Sequence, residues 1–223
     1  MEKTHATLWL IRHGETEWNA TRRVQGHLDV PLNTQGKLQA RLLAERLVDE
    51  HQRARFAALC TSDLARAKDT ASVAAARAGI PLSVRPGLRE RNYGVLGGLT
   101  PEEMETKHPE ACSHWRTRTP DFVLPGGESL GHFNARVLGE LSDIALGCLG
   151  QQVLVVTHGG VLDCAYRAAL RVPLEAKREH SLHNASISRI QVSREGEFTL
   201  ASWGDVAHLE AGSSALGVLA LDT

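Results

Sequence analysis

Two charge-free runs in this chain stop at the same chemistry. Ala6–Ile11 leads into Arg12-His13-Gly14, and Val153–Val156 leads into Thr157-His158-Gly159-Gly160. Short runs of bulky and β-branched residues read as strands buried on both faces, the kind found in parallel sheets. Proteins built on such sheets keep their ligand-handling groups at the carboxyl ends of the strands. The two endings therefore predict a mostly parallel sheet in which two imidazoles, far apart in sequence, meet along one edge.

The stretches between and after these runs supply the covering helices. Thr34 reads as the N-cap of an amphipathic helix whose apolar positions are Leu38, Leu42, Leu43, Leu47 and Val48. Phe56–Cys60 reads as a second strand. The alanine-rich segment from about Ser62 to Ala78 reads as a helix stopped by Gly79, with Pro81 beyond, and Leu82–Val84 as a third strand. Between Tyr93 and Gly127 the rhythm breaks. Thr100-Pro101-Glu102-Glu103 announces one short helix with a capping box, while Pro120, Pro125 and Gly126-Gly127 argue against regular structure. This insertion is expected to be a lid or specificity region. A long helix from Glu128, carrying Phe133, Val137, Leu141, Ile144 and Leu149, leads to the strand at Val153. A helix from Val161 to near Pro173 and a hairpin of Ala185–Val192 with Phe198–Trp203 complete the pattern. The expectation is a three-layer α/β/α sandwich, one domain over 1–223, with a lid at about 93–127 and a small apolar tail at 210–223.

Composition narrows the partners. A net charge of -1 and a pI near 6.8 leave no overall basic field for nucleic acid or an anionic membrane, so any anion site is local. Cys60, Cys112, Cys148 and Cys164 are scattered without a C-x-x-C pair, which reads as reduced, mostly buried thiols. No 18-residue apolar stretch exists and the amino terminus has no signal-peptide core, so a cytoplasmic protein, neither secreted nor membrane-spanning, is expected. A monomer and a homodimer are equally compatible with these features.

Arg beside His suits phosphate, because a guanidinium grips anionic oxygens and a neutral imidazole offers a lone pair to phosphorus. The string Leu10-Ile11-Arg12-His13-Gly14-Glu15-Thr16-Glu17-Trp18-Asn19 resembles the signature of the histidine phosphatase superfamily, also called phosphoglycerate mutase-like. Thr61–Ala71, Leu88–Gly98 and Val153–Val161 are similar to the family's other motifs and follow in family order. The resemblance implies His13 as the nucleophile. It implies Arg12, Arg66 and a protonated His158 as the cradle for the phosphoryl oxygens, and Glu90 as the acid that protonates the leaving alkoxide. Asn19, Thr16, Gly159, Tyr93 and Arg116 are the expected substrate-binding residues, with Lys107, His114, Trp115 and Arg118 as further specificity candidates. No metal and no cofactor are expected: His180 and His183 have no carboxylate or cysteine at ligand spacing, and H-E-x-x-H is absent.

Within that family the phosphohistidine meets water in a phosphatase or returns its phosphate to a bound product in a mutase. Glu90-Arg91-Asn92-Tyr93-Gly94 is close to the mutase form. However, Leu99-Thr100-Pro101-Glu102 lacks the expected lysine, and Arg116 and Arg118 are split where glycolytic mutases pair two arginines. Pro125-Gly126-Gly127-Glu128-Ser129 resembles the phosphatase branch. A phosphomonoesterase acting on a small phosphorylated metabolite is the favoured reading. A mutase, which would need 2,3-bisphosphoglycerate as a primer, is the alternative. A non-catalytic phospho-ligand binding module is the third, although such a module could lose His13 or Glu90 and this chain keeps both.

Overall fold

The computed structural model describes residues 4–210. Six strands form one sheet: β1 (His5–Arg12), β2 (Ala58–Thr61), β3 (Leu82–Val84), β4 (Gln152–Thr157), β5 (Ile187–Ser193) and β6 (Phe198–Asp205), in the order β3-β2-β4-β1-β5-β6. The first four in that order are mutually parallel, and β5 and β6 form the expected antiparallel hairpin. Register pairs Arg12 with Thr157. His13 and His158 therefore leave the two central strands side by side.

The α/β/α layering follows from the alternation along those strands. Leu8 and Leu10 of β1 and Val153 and Val155 of β4 pack with Phe133, Val137 and Leu141 of α6 (Leu130–Leu146) and Val161, Leu162 and Ala165 of α7 (Gly159–Leu170). Trp9, Ile11, Leu154 and Val156 point the other way, against Leu43 and Leu47 of α2 (Thr34–Ala54) and Ala67, Ala71 and Ala74 of α3 (Ala65–Ala78). α1 is the single turn Glu17–Ala20. Gly79 closes α3 with φ +66, a left-handed conformation in which a Cβ would be strained.

Several boundaries differ from expectation, each for a local reason. Asn33, not Thr34, caps α2, its Oδ1 accepting from the Gly36 N–H at 2.7 Å. α3 starts at Ala65 because the Ser62–Leu64 segment turns to let Asp29 Oδ1 accept from the Ala65 N–H at 2.7 Å. α7 starts two residues earlier than predicted, at Gly159, directly after His158. Leu149 lies beyond the end of α6.

The insertion holds two helices rather than one, α4 (Pro101–Lys107) and α5 (Pro109–Arg116). Pro109 occupies the first turn of α5, where its missing N–H costs nothing, so a proline that reads as a breaker starts a helix. The Thr100–Glu103 capping box is present as expected. Leu96, Met104, Ala111, Cys112 and Leu124 form a small core of the insertion's own. Cys60, Cys112 and Cys164 are buried and Cys148 is half-buried. Except for Glu210, the apolar tail lies outside the described residues.

Candidate active site

The carboxyl ends of β1 and β4 floor a cleft of about 870 Å³, with the insertion and the segment after α7 as its walls. His13 lines this cleft and is almost fully buried. Its Nδ1 lies 2.7 Å from the Gly14 carbonyl, so Nδ1–H is the donor and Nε2 keeps the lone pair. Burial, reinforced by Arg66 and Arg12, holds the imidazole well below its ordinary pKa. The ring is therefore neutral at physiological pH, the state a nucleophile needs.

Two arginines flank it without any carboxylate partner. Arg66, at the start of α3, donates from Nη2 to Gly26 O at 2.7 Å and from Nη1 to Leu28 O at 3.0 Å. Arg12 donates from Nη1 to Leu182 O. Loss of hydration brings Arg12 down to about 10, which leaves it charged. The Nε of each arginine is buried and unpartnered.

His158 packs its ring 5.2 Å from that of His13 and is fully buried. Both of its ring nitrogens lack a partner. The expectation of a protonated His158 does not hold for the free site: burial, then Arg66, His13 and Arg12, keep it well below its ordinary value. A neutral imidazole still carries one N–H. Its role as a donor survives without the charge.

Glu90 enters from the loop before the insertion. One carboxylate oxygen accepts from the Gly160 N–H at 2.9 Å, in the first turn of α7, and the other from the Arg91 N–H at 2.8 Å. The approach to Gly160 is so close that a Cβ there would stand 2.1 Å from Glu90 Oε1. Glycine at this position is what lets the acid reach the cleft. Gly159 also lines the cleft, beside Arg12.

Sequence reasoning missed the support of this loop. Arg136 of α6 donates from Nη1 to Gly87 O (2.8 Å) and Arg89 O (3.1 Å), and from Nη2 to Glu90 O (3.4 Å) and Glu128 Oε1 (2.7 Å). Glu128 Oε1 also accepts from the Asn92 N–H at 2.8 Å. His27 Nε2 lies 2.9 Å from Glu90 O. The backbone on both sides of the acid is thus gripped by one ion pair. The Gly-Gly-Glu-Ser stretch was the available signal for Glu128; Arg136, on the polar face of a helix, gave none.

The remaining expected residues divide. Asn19 lines the cleft, its Oδ1 accepting from Asn184 Nδ2 at 3.3 Å. Tyr93 lines it too, and loss of hydration pushes its phenol above the ordinary value, so it stays neutral. Thr16 is fully buried and does not line the cleft. It caps α1 reciprocally with Asn19, its Oγ1 accepting from the Asn19 N–H at 3.2 Å. Arg116 reaches the mouth but pairs with Glu105 at 2.9 Å in the open. Arg118 pairs with Asp163 at 2.6 Å and donates to Leu174 O at 2.7 Å. Asp163 also holds Arg167 and His180, each at 3.1 Å; burial pushes its carboxyl up, but the hydrogen bond from His180 and the charges of Arg118 and Arg167 outweigh that and keep it well below the usual range.

The chain is similar to known proteins. The profile of the histidine phosphatase superfamily (branch 1) matches residues 8–206. The "Metal-independent phosphoserine phosphatase" of Arabidopsis thaliana is 41% identical over 204 residues, covering 91% of this chain and 82% of that protein. A "Probable phosphoglycerate mutase GpmB" of Enterobacter sp. (strain 638) is 36% identical over 217 residues, covering 92% and 95%. Among solved structures, Bacillus stearothermophilus YhfR superposes with a TM-score of 0.81 at 34% identity, covering 91% of this chain and 98% of that one. The chain belongs to the histidine phosphatase superfamily.

Proposed function

We propose that this member of the histidine phosphatase superfamily is a metal-independent phosphomonoesterase that works through a phosphohistidine at His13. One observation carries the reading: the buried, unpartnered donors of Arg12, Arg66 and His158 surround an imidazole whose tautomer leaves Nε2 free. Buried polar groups left unpaired in a protein are costly, and an anion with three oxygens would satisfy them together.

In the first step His13 Nε2 attacks phosphorus, the P–N bond forms and the P–O bond to the leaving group breaks. Arg12, Arg66 and the His158 N–H stabilise the charge on the equatorial oxygens. Glu90 delivers a proton to the leaving oxygen, then as a carboxylate takes one from the water that attacks the phosphohistidine. The P–N bond breaks and phosphate leaves. Among the described residues no three His, Cys, Asp or Glu cluster as metal ligands, so the charge-handling groups on offer are the arginines.

Hydrolysis is favoured over mutase chemistry because the lid arginines are already engaged, Arg116 with Glu105 and Arg118 with Asp163. The phosphoserine phosphatase relative supports hydrolysis, while the GpmB relative keeps the mutase alternative specific. The four cysteines are free and no described helix is long and apolar enough to cross a membrane, which supports a reducing, cytoplasmic setting.

The test is phosphate release from p-nitrophenyl phosphate and 3-phosphoglycerate, with and without EDTA, for wild type and His13→Ala. EDTA-resistant release that falls about 10⁴-fold or more in the variant is expected. Conversion of 3-phosphoglycerate to 2-phosphoglycerate, dependent on 2,3-bisphosphoglycerate and without net release, would make the protein a mutase instead. Tight binding of both esters without either reaction would make it a binding module.

A further inference from the structure

The proton donor and the phosphate cradle come from elements far apart in the chain, yet one short segment touches both. Gly26–Asp29 is neither helix nor strand. Gly26 O and Leu28 O are the two carbonyls that seat the Arg66 guanidinium, and Asp29 Oδ1 accepts from the Ala65 N–H at the start of the same helix. Between those carbonyls, His27 reaches the acid instead, its Nε2 lying 2.9 Å from Glu90 O. A carbonyl only accepts, so Nε2 carries the hydrogen whether the ring is neutral or charged.

The segment is held at both ends. Ahead of it, the Val24 N–H donates to Leu99 O at 3.0 Å and Val24 O accepts from the Gly98 N–H at 2.7 Å; within it, the Leu28 N–H donates to Gln25 O at 3.0 Å and closes a turn. Gly26, at φ +55, lies so near the acid's loop that a Cβ there would stand 3.0 Å from Arg91 O. Glycine meets both demands, the left-handed backbone and the close approach. His27 itself is half-buried and does not line the cleft, so it touches no reacting atom.

Glu90 is thereby fixed from two directions. Its carboxylate is tied to α7 by the Gly160 N–H, and its backbone carbonyl is tied by His27 to the seat of Arg66. Arg136 approaches the same carbonyl at 3.4 Å, but it comes from α6 and is paired with Glu128, so it joins the acid's loop to the wall. His27 joins that loop to the floor. A general acid works only within hydrogen-bond reach of the leaving oxygen, and a misplacement of about 1 Å can cost about 10²-fold.

We propose that His27 is a positioning residue, whose Nε2–H sets the Glu90 backbone against the Arg66 side of the phosphate cradle and so holds the carboxyl at the leaving oxygen. This rests on the phosphomonoesterase reading and adds to it a residue that no substrate atom meets. The alignment of acid and cradle then depends on a single imidazole between two carbonyls, and not on the insertion.

The experiment uses phenyl phosphate and p-nitrophenyl phosphate, two esters of nearly the same shape, of which the first needs its leaving group protonated far more. The variants are His27→Gln, whose amide nitrogen reaches about as far as Nε2, His27→Asn, whose amide stops short at the place of Nδ1, and His27→Leu, which has no donor. In kcat/KM, the Asn and Leu variants should lose about tenfold or more on phenyl phosphate and no more than about threefold on p-nitrophenyl phosphate. His27→Gln should stay within about threefold of wild type on both. The inhibition constant of inorganic phosphate, which reports the cradle alone, should change by less than about twofold in every variant. Equal losses on the two esters, no loss on either, or a Gln variant no better than the Asn variant would overturn the positioning role. Weakened phosphate binding would overturn it too, since His27 would then support the cradle and not the acid. Glu90→Gln is the reference: absence of the same contrast there, or no turnover of p-nitrophenyl phosphate by the wild type, would sink the parent reading instead.

Discussion

The floor and the walls of the cleft treat arginine in opposite ways. On the floor, Arg12 and Arg66 give their Nη groups to backbone carbonyls and keep a buried Nε unpartnered. In the walls, Arg23 pairs with Glu103, Arg116 with Glu105, Arg118 with Asp163 and Arg136 with Glu128. A cation held by neutral carbonyls keeps its charge for a visitor, whereas one facing a carboxylate has already spent it on architecture. Partner chemistry separates the two groups. Arg91, which lines the cleft and donates to Glu128 O, follows the floor's rule.

The largest break in this comparison is expected at the floor, with the His13→Ala loss already described. Next comes the joint between floor and wall. Gly160→Ala brings a methyl to within 2.1 Å of Glu90 Oε1, so the acid must move. In kcat/KM, which reports formation of the phosphohistidine and not the later hydrolysis in which Glu90 also acts, an alkyl phosphate should drop about 10²-fold or more, while p-nitrophenyl phosphate, whose leaving group needs little protonation, loses much less. Equal losses for both esters would show that Glu90 is not the proton donor. Arg136→Met keeps the bulk but frees the Glu90 loop. The same leaving-group contrast is expected at about tenfold, and steady-state kinetics on the two esters would reveal it.

A wall pair should cost less. Arg118→Ala leaves Asp163 with Arg167 and His180, so urea unfolding should show a loss of about 1 kcal/mol. Its kcat on p-nitrophenyl phosphate should stay within about threefold of wild type. A collapse in kcat would mean that the walls set the chemistry and would erase the distinction drawn above.

An effect on stability alone distinguishes the two histidines of the floor from ordinary ones. His13 and His158 resist protonation in the folded protein, because burial and the arginines oppose it, whereas in the unfolded chain they titrate near 6.5. Below that pH the unfolded state binds more protons, so stability rises with pH there and falls as acid is added. Each histidine contributes at most about 1.4 kcal/mol per pH unit. His158→Asn should reduce the slope of unfolding free energy between pH 6.5 and 5 by about one proton. An unchanged slope would mean that His158 is charged in the native state.

How much of this was legible depended on whether geometry is written in consecutive residues. Arg12 and His13 stand at the end of a charge-free strand, and His158 and Gly159 stand at the end of another, so these floor positions could be read from a charge-free run and a stop. Arg66 was legible only through the resemblance of Thr61–Ala71 to a family motif. The charge state of His158 was not, because it depends on burial and on arginines from two other elements. Thr16 and Asn19 have the right residue types for phosphate, yet three residues of separation also makes a cap, and Thr16 took that role. The support for Glu90 rests on contacts between segments dozens of residues apart, which leave no period or spacing to read. The second helix of the insertion starts at Pro109, and whether a proline starts or stops a helix depends on which turn it occupies.

The strand order carries a consequence for how such a chain comes into being. β4 lies between β1 and β2, so nothing made before residue 152 can close the centre of the sheet. A nascent chain with β1, β2 and their helices already outside the ribosome still has two separated strands with open edges. The last central strand is also the one that brings His158. Sheets that wait for so distant a partner fold slowly and stay exposed to aggregation meanwhile. In return, no nascent chain that stops short of residue 158 can present Arg12, His13, Arg66 and His158 together.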